Sequence, residues 1–73
     1  MISAPICLPH DAMQALDHEA AAALVGNELA DGLLMFAHEA LRQQRERILV
    51  VVANGRLVGR TPGTAWAEIR ASR

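Results

Sequence analysis

The sequence predicts an α+β fold: two N-terminal helices forming a helical hairpin, a two-stranded antiparallel β-hairpin and a short C-terminal helix, assembled as a dimer. Three observations carry this prediction. Apolar residues recur at spacings of three and four through the first half, the helical period. A β-branched run ends in Asn54-Gly55, the strongest short hairpin signal, because a type I′ turn needs positive φ at both central residues. Finally, the chain has 73 residues, a size at which one core is only marginally sufficient.

The elements follow in order. Residues 1–10 read as an apolar extended arm, since Pro5 and Pro9 prevent a helix while Ile2, Ile6 and Leu8 are too apolar for a free tail. The arm either lies over its own core or is exchanged with a second chain. Residues 11–73 form a single small domain. Asp11 and Gln14 fit a variant capping box opening the first helix, whose apolar face is Met13, Leu16, Ala20, Ala23 and Leu24. Gly26-Asn27 supplies a C′ glycine and then an N-cap, which predicts a tight break, a continuous helix being the alternative.

The second helix, about residues 28–46, carries Leu29, Leu33, Phe36, Ala37, Ala40 and Leu41 on one side. Leu34 and Met35 widen that stripe until it is apolar nearly all round, and a helix apolar on several faces is buried on several faces. Leu33, Leu34, Met35 and Phe36 are therefore the expected dimer interface. The alternative is enclosure of the helix by the rest of its own chain. Ile48–Ala53 reads as a strand buried on both faces, and a two-residue loop pairs Ala53 with Arg56, Val52 with Leu57 and Val51 with Val58. Thr61 then caps, and Pro62 begins, a last helix with Trp66 and Ile69 facing inward.

Composition narrows the function classes. Apolar residues are 52% of the chain, but much of that is alanine, and Phe36 and Trp66 are the only aromatics. Small domains supplement such a core with disulfides, a metal or self-association. Cys7 is the single cysteine, so association is the expected supplement. No run approaches the roughly 20 apolar residues of a membrane span. The opening residues lack a signal peptide's positive charge, so a cytoplasmic protein with a reduced thiol is expected.

Charge is divided unevenly. Residues 1–41 hold Asp11, Asp17, Glu19, Glu28, Asp31 and Glu39 with no lysine or arginine, whereas residues 42–73 hold all seven arginines against Glu46 and Glu68. Lysine is absent, a bias that a GC-rich genome explains for the choice of arginine but not for its placement. Part of the placement suits helix dipoles, with acids near helix starts and Arg42, Arg45 and Arg47 near a helix end.

Chemistry-bearing patterns are sparse. "DHEA" at 17–20 and "AHEA" at 37–40 place His18 and His38 on two helices, but neither copy has the H-E-x-x-H or Glu-x-x-His spacing of helical metal sites. Cys7 has His10 three residues on, yet a small apolar side chain packing the arm is the simpler role. Phosphate loops, nucleophile elbows and CxxC pairs are missing. No catalysis, metal or cofactor is expected.

The order helix, hairpin, helix over residues 31–70 shows a faint similarity to prevent-host-death type antitoxins, on Val52, Asn54, Gly55, Arg56, Val58 and the Trp66–Ile69 segment. That similarity implies a dimer that binds operator DNA. The acidic first half departs from the family, and the shared residues are those of hairpins generally.

Two functional readings result. The first is a small non-catalytic regulatory or adaptor protein, a homodimer that binds another protein, with Arg42, Arg45, Arg56 and Arg60 meeting an acidic partner. The second is a dimeric DNA-binding regulator using the arginine-bearing hairpin, in which Arg56 and Arg60, four apart, share one face of the ribbon.

Overall fold

The computed structural model describes residues 4–69. Its elements are β1 (Ile6–Pro9), α1 (His10–Ala15), α2 (His18–Val25), α3 (Asn27–Arg42), β2 (Arg47–Ala53), β3 (Arg56–Arg60) and β4 (Ala67–Glu68). The fold is mixed α+β, with a four-stranded antiparallel sheet in the order β1-β2-β3-β4.

Two flanking segments extend the expected two-stranded hairpin into this sheet. Within the hairpin, Val51 pairs with Val58, Val52 with Leu57 and Ala53 with Arg56, with positive φ at Asn54 and Gly55. The arm supplies β1, in which Ile6 faces Val50 and Leu8 faces Ile48 on the same chain. Met1 to Ser3 of the arm lie outside the described residues.

The expected C-terminal helix is replaced by a turn and a strand. Thr64 donates through its backbone N–H and its hydroxyl to the Thr61 carbonyl, at 3.1 and 2.8 Å. Thr61 N–H donates back to Thr64 Oγ1 at 3.0 Å, and Gly63 takes φ +85°. A left-handed residue two positions after Thr61 stops any helix that Pro62 would begin. The following residues run extended along β3, where Ile69 N–H donates to the Leu57 carbonyl at 2.8 Å. The change of period decides the side chains. Trp66 and Ile69, three apart, share a face in a helix but take opposite faces in a strand.

The first helix is also divided. Asp17, not Asp11, is the capping residue: its carboxylate accepts from Ala20 N–H at 2.8 Å and opens α2. Pro9 precedes α1 without a side-chain cap. The break at Leu16-Asp17 rotates the apolar face, so Ala21 is buried while Ala20, Ala23 and Leu24 are exposed. Gly26 ends α2 with φ +90°, and the chain bends by 118° into α3. Among the described residues no single helix is long and apolar enough to cross a membrane.

The core lies between α3 and one face of the sheet. Ala30, Leu33, Ala37 and Ala40 of α3 and Met13 of α1 pack with Leu8, Ile48, Val50 and Leu57. Small alanines let α3 approach closely, and Gly59 lets Phe36 and Ile69 close over β3: a Cβ there would lie 2.8 Å from Phe36 Cε2 and 2.6 Å from Ile69 Cδ1.

Candidate functional site

Strand alternation sends every second side chain to the opposite side of the sheet. On the face turned away from the core stand Cys7 of β1, Arg47, Leu49, Val51 and Ala53 of β2, Arg56, Val58 and Arg60 of β3, and Glu68 of β4. Val51 is buried, yet it falls outside the core cluster that Ile48 and Val50 join, as do Leu49 and Val58. The residues packed with that cluster from the helices all meet the other face. The sheet therefore has one helix-covered face and one far face with no described helix over it.

The far face has an aliphatic middle and a polar border. Val51 and Val58 form a cross-strand pair, and Leu49 is paired with both Cys7 and Arg60. Trp66, just before β4, remains 42% exposed, and the Arg60 guanidinium lies 5.7 Å from its ring centroid, within cation–π range. The buried Nε of Arg60 has no hydrogen-bond partner among the described residues. Arg56 faces Glu68 at 4.0 Å, an exposed and weak pairing.

The charge division of the sequence becomes a division between two sides. All six acids of residues 10–42 are exposed on or beside the helices, with Arg42 as the only arginine there. The far face carries Arg47, Arg56 and Arg60 against Glu68.

The four arginines read as partner-binding do not share one surface. Arg56 and Arg60 are on the far face. Arg42, in the last turn of α3, is bound to Glu39 at 2.6 Å. Arg45 lies in the following loop, where its Nε donates to Gln43 Oε1 at 3.3 Å and its carbonyl meets His10 Nδ1 at 3.2 Å. The helix ends earlier than expected, at Arg42, because Gln44 takes φ +59°, so Arg45 and Arg47 are not in its last turn. Arg47 joins Arg56 and Arg60 instead.

Leu33, Leu34, Met35 and Phe36 also separate. Leu33 is fully enclosed in its own chain, Leu34 and Phe36 are half-buried against the core, and Met35 is exposed. The remaining candidates stay apart. His18 Nε2 lies 3.6 Å from Asp31 across α2 and α3, and His38 stands two turns further along α3 beside Met35, Glu39 and Arg42. Among the described residues no three His, Cys, Asp or Glu side chains gather as a metal site would require. Cys7 is exposed.

Leu49, Val51 and Trp66 were not legible from the sequence as residues of the far face. The continuous run Ile48–Ala53 hides its alternation, because both faces of β2 are apolar. Trp66, expected to face inward on a helix, stands exposed just before β4.

Comparison with family models, curated proteins and solved structures finds no match to this chain. The helix on which the similarity to prevent-host-death antitoxins partly rested is a strand here.

Proposed function

We propose that this is a small non-catalytic regulatory or adaptor protein that binds another protein through the far face of its sheet. The single observation that carries the reading is the composition of that face. An aliphatic centre of Leu49, Val51 and Val58, bordered by Arg60, Trp66 and Arg56, has the anatomy of a protein interface. Tryptophan and arginine are also the residues most enriched where binding energy concentrates.

The test is photocrosslinking from chosen positions in native lysate treated with nuclease. A benzophenone side chain at Val58 should give a discrete protein adduct, and the same group at Glu19 on the helical side should not. Equal adducts from both positions, or none from Val58, reject the reading.

One observation favours a nucleic-acid partner: Arg47, Arg56 and Arg60 share a face with Trp66, and arginines with an aromatic can hold a single strand. Loss of the Val58 adduct on nuclease treatment would favour it. The slight net negative charge and the lone aromatic on the face weigh against it.

Homodimerisation through α3 rests on Met35, which is 43% exposed beside half-buried Leu34 and Phe36. Light scattering at micromolar concentration decides it. A mass equal to one 7.9 kDa chain rejects it and leaves the far-face reading intact.

A further inference from the structure

The docking reading leaves open which chemistry the far face receives. Resting on that reading, we infer that Arg60, held against Trp66, receives the side-chain carboxylate of an acidic peptide segment whose alternate apolar side chains cover Leu49, Val51 and Val58.

Charge selects among the possible occupants. A second copy meeting the same face about a two-fold axis would gather two sets of Arg47, Arg56 and Arg60 in one interface, with only the two copies of Glu68 among the described far-face residues to offset them. Like charges placed together at an interface are costly. A basic segment is disfavoured for the same reason. An acidic segment meets three arginines, and its apolar residues meet the aliphatic centre.

Arg60 is the best-prepared of the three. Arg56 already faces Glu68, and Arg47 stands at the start of its strand beside Pro9. The Arg60 guanidinium has no ion-pair partner among the described residues, and its Nε is buried without an acceptor. Stacking near Trp66 limits its motion. A planar donor fork fixed in place suits a carboxylate, which accepts two parallel N–H bonds. Because the Nε is enclosed, the incoming carboxylate meets the terminal guanidinium nitrogens.

The register fits an extended peptide. Arg60, Leu49 and Cys7 form one row across the sheet, and Val58 and Val51 form the next. An extended chain also presents every second side chain to one side, so acidic and apolar residues can alternate with these rows.

Trp66 is the only tryptophan in the chain, so its fluorescence reports directly on the site. The full chain is titrated with a short end-blocked peptide carrying glutamate and valine toward one face, and with the same peptide carrying glutamine for glutamate. The glutamate peptide should change Trp66 emission and bind at least tenfold more tightly than the glutamine peptide. Arg60→Gln should remove that preference, and Arg60→Lys should recover only part of it, with circular dichroism confirming that both variants fold. Equal affinity for the two peptides, or an undiminished preference in Arg60→Gln, overturns the carboxylate assignment. If neither peptide binds while the Val58 protein adduct still forms, this inference fails and the docking reading stands. Binding of a thymidine oligomer with no peptide binding overturns both.

Discussion

Ile69 closes over Gly59: a Cβ at residue 59 would stand 2.6 Å from Ile69 Cδ1, while the carbonyl of Leu49 lies 3.2 Å away on the neighbouring strand. This contact joins β4 to the core and fixes which way Trp66 points. Gly59→Ala should therefore destabilise the chain by about 1–3 kcal/mol, the usual cost of overpacking. In a domain of this size about 1 kcal/mol lowers Tm by roughly 4–8 °C. Thermal denaturation by circular dichroism reads the change, and an unaltered Tm would show that Ile69 and Phe36 can withdraw freely.

Asp17 caps α2 through Ala20 N–H. Asp17→Ala should cost about 1 kcal/mol, whereas Asp11→Ala, which removes no side-chain cap, should cost less. Urea denaturation of the two variants ranks them. A larger loss at Asp11 would return the first cap to where sequence reasoning put it.

These two residues show how much of the fold was legible. The hairpin was readable because Asn54-Gly55 specifies a turn by local backbone sterics, which no distant contact must supply. The Gly26 break was readable for the same reason. Asp17 was hidden because Leu16 continues a helical spacing up to a real break, and periodicity alone carries no information about a cap at the very next residue. β4 was hidden because Thr61-Pro62 is an equally good signal for a helix start or a turn. What settles it is the unpaired edge of β3 and the space at Gly59, both tertiary features. The candidate surface was half legible: Arg56 and Arg60 on one ribbon face were readable, with Arg42, Arg45 and Arg47 as possible extensions of the patch, but only the sheet selects Arg47 from those three and adds Trp66.

Leu57 is almost fully buried on the helix-covered face, whereas Val58, its neighbour, lies on the far face. Leu57→Ala should cost about 2–5 kcal/mol. Val58→Ala removes less apolar surface from a half-buried site and should cost distinctly less. Equal losses would indicate that the far face is covered as fully as the core.

Met35 is the exposed member of the Leu33–Phe36 quartet. Met35→Glu should change stability by no more than about 0.5 kcal/mol, as surface substitutions do. On the self-association reading it also reduces the light-scattering mass from two chains to one. A large loss of monomer stability would place Met35 in the core instead.

The central claim is that the far face of the sheet is the docking surface. Amide chemical-shift mapping of the labelled chain, titrated with the glutamate–valine peptide, tests it most directly. The changes should concentrate at Leu49, Val51, Val58 and Arg60 and at the Trp66 indole N–H. Changes centred on Met35, His38 and Arg42 would contradict it and place the docking surface on α3.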